Sequence, residues 1–75
     1  MLIIKDVLPI ENYKLKVIFE TNEEKVVDLS SIVDKGIFKE LRDPSYFKQV
    51  VNQKYFIEWP NDQDLSSDTL YYGLT

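Results

Sequence analysis

The chain contains no cysteine and no histidine in 75 residues. Without cysteine there is no disulfide, no thiol nucleophile and no zinc-ribbon site, and the lack fits a reducing compartment. Without histidine, the commonest acid–base group and metal ligand near neutral pH is missing. His-based triads, cysteine nucleophiles and conventional transition-metal sites are thereby excluded. A basic excess is lacking too: nine lysines and arginines stand against thirteen aspartates and glutamates, for a net charge of -4. A nucleic-acid binder needs a basic patch to displace phosphate counterions, and anionic membranes attract the same charge. Direct binding to either is not expected. No apolar run approaches the roughly 20 residues that span a bilayer, and Met1 opens no charged-then-apolar leader. These absences lead us to expect a soluble cytoplasmic protein.

What is present is a globular composition, 44% hydrophobic and 13% aromatic. The length predicts one domain, 1–75, near the lower limit for folding without staples. A core this small can gain stability by pairing an edge strand with its copy, so a homodimer is one expectation.

The periodicities predict an α+β fold: a small, mostly antiparallel sheet of three or four strands with two short helices on one face. Leu2–Leu8 reads as a strand stopped by Pro9, which suits an edge position. Tyr13, Leu15, Val17 and Phe19 alternate with Lys14, Lys16, Ile18 and Glu20 in the clearest strand. A turn at 21–24 returns it through Lys25–Leu29. A hairpin centred on Asn22 and Glu23 would set Phe19 against Val26, Ile18 against Val27 and Glu20 against Lys25. Asn22 suits positive φ there. Ser30 or Ser31 can cap a short turn ended by Gly36. Asp43-Pro44 is a helix start, and Tyr46, Phe47, Val50 and Val51 give that helix an apolar face. The strand Tyr55–Trp59 follows, with Ile57 and Trp59 on one face and Glu58 on the other.

Two stretches carry a resemblance. One is Val27-Asp28-Leu29 followed by Gly36-Ile37-Phe38-Lys39-Glu40-Leu41-Arg42-Asp43-Pro44-Ser45-Tyr46-Phe47. The other runs from Ile57 through Trp59-Pro60-Asn61 to Asp64, Asp68, Leu70 and Tyr71. Together with the hairpin from Tyr13, the chain resembles the bacterial family called domain of unknown function 2442. The resemblance implies a small α+β fold and no known catalytic residues. It also implies a gene habit: members are sometimes encoded beside another small protein in an arrangement like a toxin–antitoxin pair. The sequence departs from the family pattern at Asp62, where glycine is expected, and at Ser67, where proline is expected.

The acidic turn after Trp59 holds the densest oxygen ligands: Asp62, Asp64 and Asp68, with Asn61 and Ser66. They are the candidates for a calcium or magnesium site. An EF-hand loop begun at Asp62 would need glycine at its sixth position and glutamate at its twelfth, where Ser67 and Gly73 stand. The competing structural reading makes Asp64 or Ser66 a helix cap and Asp68 a favourable charge at the helix start. Glu58 beside Trp59 could serve as an acid–base group if buried, but alternation turns it to solvent. Trp59, Asn61, Asp62, Asp64, Tyr71 and Tyr72 form the candidate interaction surface, since Trp and Tyr anchor protein interfaces. Core packing competes for the aromatics, with Trp59, Phe19, Phe47 and Leu70 expected inside and at least one of Tyr71 and Tyr72 outside.

No catalytic residue and no cofactor are predicted. The sequence therefore points to a non-catalytic protein-interaction or accessory module, and the resemblance implies an antitoxin-like one with a protein partner encoded by a neighbouring gene. The alternative is a small-ligand or divalent-metal-binding protein, or a hydrolase, using the Trp59–Asp68 surface.

Overall fold

The computed structural model describes residues 2–73. Met1 and residues 74 and 75, which the expected domain 1–75 includes, lie outside them. Strands β1 (Ile4–Ile10), β2 (Lys14–Phe19) and β3 (Glu24–Asp28) form one antiparallel sheet in that order. Strands β4 (Val51–Asn52), β5 (Phe56–Glu58) and β6 (Asp64–Ser66) form a second. A 3₁₀ helix (Gly36–Arg42) and the single turn α1 (Pro44–Phe47) lie between the sheets in sequence, and α2 (Ser67–Tyr72) follows them. The α+β antiparallel class is as predicted, but the strands divide into two three-stranded sheets. Among the described residues no helix is long and apolar enough to cross a membrane.

Alternation builds the core. Leu15, Val17 and Phe19 point inward from β2 and join Ile4, Val7 and Val27 from its neighbours. Leu29, Val33, Leu41, Phe47, Ile57, Trp59 and Leu70 close over them, each nearly or fully buried. The four residues expected inside, Trp59, Phe19, Phe47 and Leu70, all are. The two sheets meet at the start of β1, where Ile4 N–H donates to Lys54 O at 2.7 Å and Asn52 Nδ2 donates to Ile4 O at 2.9 Å.

The β2–β3 register differs from the predicted one. Leu15 faces Val27, Lys16 faces Val26, Val17 faces Lys25 and Ile18 faces Glu24. The predicted pairing would have turned Val26 and Asp28 inward. The observed one buries Val27 and Leu29 and leaves Asp28 exposed, which avoids desolvating a carboxylate. The expected Glu20–Lys25 pair is accordingly absent among the described residues, and Lys16 bridges Glu24 at 3.0 Å instead. The loop has three residues. Asn22 N–H donates to Phe19 O, Phe19 N–H donates to Glu23 O, and Asn22 takes φ 72. This is a type I turn closed by a left-handed residue, and positive φ at Asn22 is as predicted.

Two other expectations shift. Pro9 lies inside β1 rather than ending it, opposite Leu15 on an edge strand. The turn at 30–34 is capped by Asp28, whose carboxylate accepts from Ser30 N–H at 2.9 Å, rather than by either serine. Gly36, at φ 49, follows the 30–34 turn in the left-handed conformation expected of its terminator, and it is also the first residue of the 3₁₀ helix. The Asp43 cap is as predicted: its Oδ1 accepts from Ser45 N–H at 3.0 Å, with Pro44 at the first helical position. Hydrogen bonds from the Ser45 hydroxyl and amide hold the Asp43 carboxyl below its ordinary pKa. That helix stops at Phe47, however, and Val51 enters β4.

Candidate functional site

The turn after Trp59 is a structural hub. Trp59 N–H donates to Gln63 O at 2.9 Å and Asp62 N–H to Trp59 O at 3.3 Å, with Asp62 at φ 74. This repeats the three-residue design of the Asn22 hairpin, with Pro60 at the position that favours proline. Aspartate stands where glycine would be unstrained. The indole is 2% exposed, and its Nε1 donates to Phe47 O at 2.9 Å. That carbonyl would have accepted from Val51 N–H had α1 continued, so the indole bond replaces the next helical turn.

Gln63 is the residue that sequence reasoning missed. It is 1% exposed, the most buried polar side chain described. Its Oε1 accepts from Tyr46 Oη at 2.6 Å. Its Nε2 donates to Ile37 O at 2.8 Å and to Glu40 Oε1 at 3.0 Å. The Tyr46 hydroxyl in turn accepts from Asn61 N–H at 2.9 Å, and Asn61 Nδ2 donates to Glu40 Oε2 at 2.6 Å. The signal for it was register. Ile57 faces Leu65, so Gln63 and Ser67 share the inward parity of β6.

The predicted site residues therefore separate. Trp59 is withdrawn from any exposed surface. Asn61 is tied to Glu40, and Asp62 and Asp64 are exposed on the turn and on β6. Asp68 lies in the first turn of α2, where Ser66 is the cap: its Oγ accepts from Thr69 N–H at 3.1 Å. Ser67, at the proline position, donates its N–H to Tyr55 O at 2.8 Å, a bond proline would lack. Among the described residues no three carboxylates converge to hold a metal ion. Glu58 is half-buried and accepts from Gln53 Nε2 at 2.9 Å.

Tyr71 and Tyr72 lie elsewhere, against β3. Tyr71 packs edge-on against Phe19 at 5.3 Å. Its hydroxyl donates to Glu23 Oε2 at 2.9 Å, and that bond to a carboxylate raises its pKa above the ordinary tyrosine value. The Lys25 ammonium sits 4.5 Å over its ring. Tyr72 stacks edge-on against Tyr71 at 4.9 Å and is 77% exposed. With Val26, 62% exposed, these tyrosines line a cleft of about 290 Å³ between β3 and the end of α2.

A larger cleft of about 510 Å³ opens where the β1–β2 turn meets α1, lined by Ile10, Tyr13, Pro44, Phe47 and Lys48 among others. Asn12 and Tyr13 both take positive φ there. The Tyr13 hydroxyl is turned away to Arg42 O at 3.2 Å. The cleft has apolar walls and charges at its rim, without the convergent polar groups that fix a small molecule.

No curated protein and no solved structure matches the chain. The family model described as protein of unknown function, DUF2442, matches residues 4–75. That match spans nearly the whole sequence, and the hub around Trp59, Pro60 and Asn61 lies inside it. The chain belongs to the DUF2442 family.

Proposed function

We propose that the protein is a non-catalytic interaction module that acts by binding another protein. The observation that carries this reading is the exposed apolar pair Tyr72 and Val26. A side chain as large as tyrosine, 77% exposed and held against a second ring, is poorly used as solvent-facing surface. It is well used as an interface anchor. The reading places the anchor on the β3–α2 cleft and not on the turn after Trp59, where Trp59, Asn61 and Gln63 are spent on the fold. An antitoxin-like or accessory role beside a partner encoded next door, in the cytoplasm, is the finer form of the proposal. The metal-binding and hydrolase readings of the Trp59–Asp68 surface gain no geometric support.

The test is co-expression with the product of the adjacent gene, with a photo-crosslinker at position 72. A stoichiometric complex that crosslinks there and weakens on Tyr72→Ala is expected. A chain that always purifies alone, or a complex indifferent to Tyr72→Ala, would sink the reading.

A further inference from the structure

The two edges of the first sheet are finished differently. In an antiparallel ladder, residues alternate between bonding their neighbour and pointing their N–H and C=O away. The bonds from Phe19 N–H to Glu23 O and from Leu29 N–H to Tyr13 O fix the phase on β3. Lys25 and Val27 bond to β2, so Glu24, Val26 and Asp28 present their backbone groups to the outside. By the same phase Lys14, Lys16 and Ile18 bond to β1, which leaves Ile4, Val7 and Pro9 on its outer edge.

At each of those β1 positions the outward N–H is taken or absent. Ile4 N–H and C=O are taken by Lys54 and Asn52. Val7 N–H donates to its neighbour's Asp6 Oδ1 at 2.8 Å, and Pro9 has no N–H to offer. Such devices keep an edge from pairing. On β3 they are missing: among the described residues no hydrogen bond closes on the N–H or C=O of Glu24 or Val26, nor on the N–H of Asp28. The edge lines the 290 Å³ cleft whose other wall is Tyr71, Tyr72 and Gly73 at the end of α2.

We propose that β3 is a strand-addition site, and that its occupant is an extended segment of another protein with basic residues flanking an apolar one. This rests on the interaction-module reading and specifies its mode. The added strand would pair antiparallel with Glu24–Asp28, and its backbone would take the bonds left open at Glu24, Val26 and Asp28. Side chains directly opposite these three lie on the exposed sheet face. The apolar one meets Val26, and the basic ones meet the exposed carboxylates of Glu24, which also bridges Lys16, and Asp28, which lies opposite Lys14. The alternate side chains face Tyr71 and Tyr72. A second copy of this chain fits badly. In the register that pairs all of β3 with its copy about Val26, Glu24 opposes Asp28 twice, acid against acid.

The probes are two blocked synthetic peptides, Arg-Thr-Val-Thr-Arg and Glu-Thr-Val-Thr-Glu, titrated into the ¹⁵N-labelled full chain. The basic peptide is expected to shift the amides of Glu24, Val26 and Asp28 and to slow their hydrogen exchange. The acidic peptide should bind about tenfold more weakly, because two attractive cross-strand pairs become repulsive. Val26→Pro removes the central outward N–H without touching a bond to β2, and should abolish binding while circular dichroism stays unchanged. Should that variant unfold, Tyr72→Ala with the same peptides serves in its place, with weakened binding expected. The proposal is overturned by any of three results: no shift at those amides with millimolar basic peptide, equal binding of both peptides, or a Val26 amide already protected in the free protein. If the natural complex forms but Val26 still exchanges freely within it, strand addition fails while the interaction reading stands.

Discussion

Replacing Gln63 by methionine is expected to cost about 2–3 kcal/mol of folding stability. Methionine nearly matches glutamine in length and shape, so little cavity opens, and the change isolates the polar contacts. Three hydrogen bonds are lost: one from Tyr46 Oη and two from Nε2, to Ile37 O and Glu40 Oε1. Each contributes about 1 kcal/mol net. The Glu40 carboxylate is exposed and rehydrates, which lowers its share, whereas the buried Tyr46 hydroxyl keeps its bond from Asn61 N–H but loses the acceptor for its own proton. A 75-residue domain has a total stability of roughly 4–11 kcal/mol at ~0.05–0.15 kcal/mol per residue. The loss is therefore a large fraction, and the midpoint should fall by about 10–20 °C. Tyr46→Phe removes the same bond from its other end, and also the acceptor of Asn61 N–H, at about 1–2 kcal/mol. Because the two variants share one bond, the double variant should cost about 1 kcal/mol less than the sum. Urea unfolding of the four proteins measures this. A Gln63→Met loss under about 0.5 kcal/mol, or additivity within that margin, would show that the network is ornamental and that burial alone holds the turn.

Asp62→Gly should leave the protein as stable or raise stability by about 0.5 kcal/mol, since relief at φ 74 is set against a freer unfolded chain; thermal melts decide. Gly36→Ala should lose about 1 kcal/mol from φ 49 alone, because a Cβ there meets nothing within 4 Å. Ser66→Ala should cost about 1 kcal/mol by removing the α2 cap, read as a lower urea midpoint with α2 amides fraying first. The Asp43 and Asp28 pKa values are lowered on folding, chiefly by hydrogen bonds from Ser45 and Ser30. Their contribution is present above the unfolded carboxylate pKa and lost as pH falls through the lower folded one. Stability followed from pH 6 to pH 2 should decline on that acid limb, and Asp43→Asn should make the decline shallower.

Much of this was legible wherever a local rule decided the outcome. Asp43-Pro44 starts a helix because the side chain and the ring each suit one position. Ser66 caps α2, Asn22 takes positive φ, and the large aromatics Trp59, Phe19 and Phe47 lie inside because each supplies a large share of a small domain's buried area. What local rules left open was decided by tertiary contacts. Val26 and Val27 are equally apolar, and the choice between them was made by their neighbours: Leu29 had to enter the core and Asp28 had to stay out. The run Tyr46, Phe47, Val50, Val51 reads as one helix, yet the Trp59 indole claims the Phe47 carbonyl and the chain leaves as a strand. Gln63 was hidden by its flanking aspartates. A glutamine in an acidic turn looks solvated until the β5–β6 register turns it inward.

The residues that carry the family resemblance and those of the candidate interface are largely different sets. Trp59, Pro60, Asn61, Tyr46, Asp43 and Pro44 each have a role inside the fold: an indole bond to Phe47, a turn position, a bond to Glu40, a link to Gln63, a cap and a helix start. Their shared effect is to hold the second sheet against the 3₁₀ helix and α1. Val26 and Tyr72 belong to neither stretch of the resemblance. Substitution there costs the core little, because both are mostly outside it. Asp28 and Tyr71 belong to both sets, Asp28 on the open strand itself and Tyr71 with one edge packed on Phe19 and its hydroxyl on Glu23 beside it. A frame of this kind can keep its hub fixed while the side chains along β3 and the end of α2 are tuned to one partner. Strand addition suits such tuning, since the backbone bonds supply affinity for any extended segment and only the facing side chains, here Glu24, Val26 and Asp28, choose among them.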